Sequence, residues 1–66
     1  MNDNELREAL QRKAQVEYDG VIFDRISAVI YRNIKGKLEI SAEIMDENSH
    51  SVFIVDPKKL NLLGGN

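Results

Sequence analysis

The run Ile26-Ser27-Ala28-Val29-Ile30-Tyr31-Arg32-Asn33-Ile34-Lys35-Gly36-Lys37-Leu38-Glu39-Ile40-Ser41-Ala42-Glu43-Ile44 decides the fold class. Ile26, Ala28 and Ile30 before its centre, and Leu38, Ile40, Ala42 and Ile44 after it, recur at every second residue. That period describes two half-buried strands, because successive side chains of a strand point to opposite faces. Between the arms, Ile34-Lys35-Gly36 reads as a three-residue loop with glycine in the left-handed region, the common bulged hairpin. The expected register sets Ile30 opposite Ile40, Ala28 opposite Ala42 and Ile26 opposite Ile44 on the buried face. The same register puts Tyr31 beside Glu39, Val29 beside Ser41 and Ser27 beside Glu43 on a mostly polar outer face.

Upstream, Val16-Glu17-Tyr18 leads into Asp19-Gly20, a two-residue type I′ turn signal in which both positions need positive φ. Closing it pairs Tyr18 with Val21 and Val16 with Phe23, all on one face. Phe23 is odd-numbered whereas Ile26, Ala28 and Ile30 are even, so an inserted residue near Asp24-Arg25 must bend the strand. Residues 3–14 read as a short helix with Leu6, Ala9, Leu10 and the stem of Lys13 on one face and Asp3 or Asn4 as N-cap. Acidic Asp3, Glu5 and Glu8 come early and basic Arg12 and Lys13 late, which suits the helix dipole. Glu8 and Arg12 form an i,i+4 pair.

Downstream, residues 46–50 form a polar turn before a strand over 50–55 whose apolar residues occupy both parities, so its register stays open. Asp56-Pro57-Lys58-Lys59 reads as a capped 3₁₀ turn over 57–59, with Pro57 at the first helical position. Residues 60–63 close as a last strand, and Gly64-Gly65-Asn66 is expected to fray. The remaining strands fall at 15–18, 21–33 and 37–46, and all 66 residues are expected to make a single small domain.

The expected fold is therefore mainly β, an α+β arrangement of an N-terminal helix followed by a small, strongly bent five-stranded antiparallel sheet or barrel. This order of elements resembles the Src-homology-3 and Sm-like barrels, the Sm-like group having an N-terminal helix before five strands with a sharply bent second strand. The resemblance covers nearly all of the chain and is one of element order alone, so no residue role is carried over from it.

Composition narrows the function. A chain of 66 residues buries roughly 60% of its unfolded surface, leaving little interior for a pocket. It has no cysteine and so no thiolate metal cage or disulfide framework. The longest apolar run, Val52-Phe53-Ile54-Val55, is far short of the ~20 residues that span a bilayer, and no membrane partner is expected. The polar, acidic start does not read as a secretory signal, which favours the cytoplasm. Nine basic against eleven acidic residues, a net charge of −2, argue against strong non-specific attraction to nucleic acid.

His50 is the only histidine, set near Asp46, Glu47, Ser49 and Ser51. A metal or a nucleophile would need convergent ligands or an enclosed base, which a hairpin tip does not offer. Glu39 and Glu43 lie two pleats apart on one exposed strand face, with nothing to desolvate either for acid–base work. No catalytic, metal or cofactor site is expected, and the chain does not read as an enzyme.

Arg25, Arg32, Lys35, Lys37 and Tyr31 form a basic and aromatic group suited to stacking on and neutralising single-stranded nucleic acid. More apolar residues are present than so thin a core can hold: Ile22, Val29, Phe53 or Ile54, Val55 and the terminal leucines are not all expected inside. The expected function is a non-enzymatic binding module that joins a protein partner or a second copy of itself, through a surface including Arg25, Val29, Tyr31, Arg32, Lys35, Lys37 and Phe53. The alternative is an RNA or single-stranded DNA binder, and a further option is an oligomer that sequesters a small ligand in a shared cavity. In size and texture the chain is similar to small proteins of phages and mobile elements that bind and disable a host protein.

Overall fold

Two left-handed turns organise the chain. In a computed structural model that describes residues 1–48 and 50–63, Asp19 and Gly20 have φ of 52° and 80°, and Lys35 and Gly36 have 51° and 81°. Each pair is a two-residue turn of the I′ kind, whose twist matches the right-handed twist of the strands it joins.

The first turn joins β1 (Val16–Tyr18) to β2 (Val21–Phe23), pairing Val16 with Phe23 and Tyr18 with Val21 as expected. The second joins β3 (Arg25–Ile34) to β4 (Lys37–Met45) and corrects the expected three-residue loop: Ile34 lies opposite Lys37. Asn33 helps hold this tighter turn, its side-chain oxygen accepting from the Gly36 N–H at 3.0 Å.

The register shifts accordingly. Val29 faces Ala42, Tyr31 faces Ile40, Ala28 faces Glu43 and Ile30 faces Ser41. Ile30 and Ile40 are thus on opposite sides of the sheet, and Val29 and Tyr31 belong to the inner face rather than the outer one. Ile26 still meets Ile44, because the ladder slips between Ile26 and Ala28. Ser27 is the extra residue of this bulge, and its hydroxyl donates to the Glu43 carboxylate at 2.7 Å. The expected bend near Asp24-Arg25 is also present: Asp24 separates β2 from β3, and its N–H donates to the Met45 carbonyl at 3.0 Å. Two parity changes, not one, bring Phe23, Ile26 and Val29 to the same core.

Among the described residues, breaking the bent run at Asp24 makes six strands in two antiparallel sheets, in place of one five-stranded sheet, with no closed barrel. One sheet has the order β2-β1-β6, with β6 at Leu60–Leu62, and the other β3-β4-β5, with β5 at Val52–Val55. The register of β5 is settled by its pairing of Val55 with Ala42 and Phe53 with Ile44. Between β5 and β6 a 3₁₀ turn, Pro57–Lys59, is capped by Asp56, whose side chain accepts from the Lys58 N–H at 3.0 Å.

Helix α1 (Asp3–Arg12) lies across the inner face of β3. Its N-cap is Asn2 rather than Asp3 or Asn4: Asn2 accepts from the Glu5 N–H at 2.8 Å, and Glu5 accepts from the Asn2 N–H at 2.9 Å. Such a capping box contributes about 1 kcal/mol. The helix stops at Arg12, short of residue 14, because Lys13 turns left-handed at φ 54°, and its side chain is exposed. Glu8 and Arg12 form the i,i+4 ion pair at 2.7 Å.

Leu6 and Ala9 of α1 meet Val16, Phe23 and Leu60 from the first sheet and Ile26, Ala42, Ile44 and Val55 from the second in one buried cluster. Leu10, Val29 and Ile40 pack against its margin. The N-terminal ammonium donates to the Pro57 carbonyl at 3.0 Å, tying the start of the helix to the 3₁₀ turn. The expectations for Ser49 and for Gly64-Gly65-Asn66 lie outside the described residues.

Candidate binding surface

With the core supplied by nine residues, much apolar surface is left over. Its longest run is on β5, where Val52, Phe53 and Ile54 are 46%, 49% and 53% exposed while Val55 is buried; Val21 and Ile22 of β2 form a shorter exposed pair. Alternation explains part of this. Phe53 and Val55 point inward with Ile44 and Ala42, and Val52 and Ile54 point outward beside Met45 and Glu43. Phe53 reaches the core only at its rim, meeting Phe23 edge-to-face at 5.5 Å between centroids.

Strand β5 carries no charge, and among the described residues its backbone pairs only with β4. Its other edge pairs with no strand among the described residues. Edge strands are ordinarily protected by lysine, proline or a bulge, and this one has none of them.

The outer face of the β3-β4-β5 sheet is less polar than the sequence suggested. Ala28, Ile30, Ile34, Val52 and Ile54 lie there, interleaved with Arg32, Lys37, Glu39, Ser41 and Glu43. The residues expected to form one surface are divided between the two faces. Arg25, Arg32 and Lys37 are on the outer face, Lys35 is in the turn, and Val29, Tyr31 and Phe53 are on the inner face. Arg25 is engaged, with its guanidinium 3.2 Å from the Asp24 carboxylate and 3.2 Å from the Met45 sulfur.

Tyr31 is engaged too, its hydroxyl donating to Asp3 at 2.9 Å and accepting from the Arg7 guanidinium at 3.3 Å. The Tyr31 hydroxyl, then the Asp3 charge, push the Arg7 pKa above its ordinary value. These two hydrogen bonds, both exposed to solvent, tie the Tyr31 hydroxyl to α1 and compete with use of the ring as a stacking platform.

Beyond the end of β5, a cleft of about 510 Å³ runs beside β4, lined by Leu38, Glu39, Ile40, Ser41, Ile54, Val55, Asp56 and Lys58. It exists because β5 pairs only with Ala42 to Met45, after which the chain leaves the ladder at Asp56-Pro57 while the 3₁₀ turn Pro57–Lys59 stays close to β4. The stretch Leu38–Ser41 thus has no strand on that side among the described residues. A second cleft, about 440 Å³, lies at the Asp19-Gly20 turn with Glu17, Tyr18, Lys59 and Asn61.

The His50 turn is organised around Asp46, whose carboxylate accepts from the His50 N–H at 2.8 Å. Partial withdrawal from water pushes the Asp46 carboxyl up. The amides of His50 and Ser51, the His50 charge and the Asn48 amide outweigh this and hold its pKa below the ordinary value. Among the described residues, no three histidine, cysteine, aspartate or glutamate side chains converge as metal ligands, and no helix is long and apolar enough to cross a membrane.

Sequence reasoning missed Val52 as a surface residue and named Ile54 only as an alternative to Phe53, and it missed the outward placement of Ile30 and the open stretch of β4. The signal for the first two was present, since a run apolar at both parities cannot bury both faces unless both are covered. Nothing local marks the open stretch, which depends on where β5 ends in space. Comparison with family models, with curated proteins and with solved structures finds no match.

Proposed function

We propose that this chain is a non-enzymatic protein-binding module that receives an extended segment of a partner along the outer edge of β5. The observation that carries the reading is the uncharged, open edge of Val52–Val55, with three large apolar side chains about half exposed. Main-chain hydrogen bonds to such an edge supply affinity, and alternate side-chain positions supply selectivity.

Small size and an edge of this kind suit a protein that occludes a surface on another macromolecule, the manner of action of a phage or mobile-element inhibitor in the cytoplasm. The strands also support the finer reading of a Src-homology-3 or Sm-like arrangement. Taking β2 and β3 as one run bent at Asp24, the order becomes β6, β1, bent run, β4, β5.

The competing reading is single-stranded nucleic acid binding, supported by Arg32, Lys35 and Lys37 near one hairpin tip. The engagement of Tyr31 with Asp3 and Arg7 counts against it.

The test uses Val52→Lys and Ile54→Lys, both at exposed outward positions. Proteins retained by the immobilised wild-type chain are identified, purified and titrated against all three chains. Binding that falls at least tenfold in the lysine variants, with melting temperature unchanged, supports the β5 edge. Equal binding by all three removes it. Salt-sensitive oligonucleotide binding that is lost on combined Arg32, Lys35 and Lys37 substitution would favour the competing reading.

A further inference from the structure

The open stretch of β4 and the hairpin tip beside it complement one another, on the β4 side of a cleft whose other wall includes Ile54 and Val55 at the end of β5. Leu38 is 66% exposed, more than any other large apolar residue described, and Ile34 is 43% exposed on the opposite face of the same hairpin tip. The tip carries Lys35 and Lys37, while the cleft beside β4 carries Glu39 and Asp56, with Lys58 on its rim.

The ladder geometry says which backbone groups are available. In a hairpin closed by two residues, Ile34 and Lys37 face each other with their N–H and C=O groups directed across the pair. Alternation then directs those of Leu38, Ile40 and Ala42 to the opposite edge. Ala42 meets Val55 there, and Leu38 and Ile40 meet no strand among the described residues.

From this geometry we infer that a second copy of the chain fills the cleft, its β4 running antiparallel to the first about a twofold axis through Leu38. Leu38 then lies opposite Leu38 of the other copy, and Lys37 lies opposite the other copy's Glu39, twice per dimer. The Gly36 carbonyl comes level with the Ile40 N–H of the other copy. The Gly36 N–H is already taken by Asn33.

In this register Lys35 falls level with Ser41 of the other copy, one residue before Ala42, where the pairing with β5 begins. Two neighbouring registers are disfavoured. One sets Glu39 against Glu39, and like charges directly opposite repel. The other sets Leu38 against Ala42, a position β5 already occupies. The interface is isologous and closes on itself, which is the commonest oligomer symmetry.

The experiment is sedimentation equilibrium of the full chain up to about 1 mM, a range that detects even weak association. Wild type is expected to approach twice its 7.5 kDa mass. Leu38→Asp abolishes the dimer, and Lys37→Glu or Glu39→Lys alone weakens it about tenfold through two repulsive pairs. The Lys37→Glu and Glu39→Lys double variant restores it, an outcome that a merely destabilised fold does not give.

Because the chain has no cysteine, Leu38→Cys offers a second readout. Residues facing each other across a twofold in a hydrogen-bonded pair have Cα atoms about 5.5 Å apart, within disulfide reach. Rapid oxidation to a covalent dimer by Leu38→Cys, and not by Ser41→Cys, supports the register. A monomer at all concentrations overturns the inference. So does a double variant that stays monomeric, or stronger association on Glu39→Gln, which would place Glu39 against itself.

Discussion

The two hairpins of this protein close through the same kind of turn, yet only one of them announces it. Asp19-Gly20 and Lys35-Gly36 have nearly identical φ pairs. Aspartate visits the left-handed region at modest cost because its short side chain bonds locally, so Asp-Gly signals a two-residue turn. Lysine has no such compensation, and Lys-Gly reads as the end of a longer loop. The difference teaches that turn chemistry predicts register only where the residue prefers the conformation it adopts. Elsewhere the surrounding sheet imposes it.

The largest test asks whether the two hairpins, so different in legibility, are equally dependent on one core. Ile44 is fully buried among residues from both sheets. Ile44→Ala is expected to destabilise the protein by about 2–5 kcal/mol. Thermal unfolding followed by circular dichroism and by exchange of the Tyr18 and Ile30 amides, each in a hydrogen-bonded pair of its ladder, should show both sheets melting together. Loss of β3-β4 protection alone would separate them.

A smaller effect compares the glycines directly. A Cβ at Gly20 or Gly36 meets nothing within 4 Å, so alanine strains only the backbone, at φ of 80° and 81°. Each substitution is expected to destabilise by about 1–2 kcal/mol. Equal shifts in denaturant midpoint confirm a common turn, and a much smaller shift at Gly36 would break the parallel.

Lys35→Gly sharpens it further, because here the sign of the effect decides. With Lys35 at φ 51°, glycine relieves strain and stabilises by about 0.5–1 kcal/mol. In the three-residue loop suggested by sequence, position 35 would have negative φ, and glycine would destabilise by a similar amount. Urea titration distinguishes the two.

The smallest effect concerns the third turn, around Asp46, where a side chain rather than a glycine organises the loop. Its folded pKa is held below the unfolded value, so its contribution is present above the unfolded pKa and is lost as pH falls through the folded one. Acid titration of stability should show this loss in the wild type, and the step should be absent in Asp46→Asn.

The candidate surface was less legible than the fold. Val52-Phe53-Ile54-Val55 stood out as apolar, but its exposure depends on Val55 alone reaching the centre while the rest of β5 lies at the rim. Tyr31 and Arg25 looked like free recognition groups. Tyr31 is fastened by Asp3 and Arg7 from 28 and 24 residues away in sequence, partners no local pattern reveals.

Sequence alone established the helix with its Glu8–Arg12 pair, the Asp19-Gly20 hairpin and its register, the bend near Asp24 and the Asp56-Pro57 turn. Each is a local conformational preference, expressed within a few residues. Tertiary structure decided which side of β3 faces inward, because a one-residue slip exchanges the two faces of a strand and alternation cannot count bulges. The Ser27 bulge and the two-residue turn at Lys35-Gly36 together reverse the face from Ala28 onward, placing Val29 and Tyr31 under α1 and leaving Ile30 outside. The protein accepts a left-handed lysine and an extra serine because together they bring Ile26 against Ile44 and Val29 against Ala42 over one shared core.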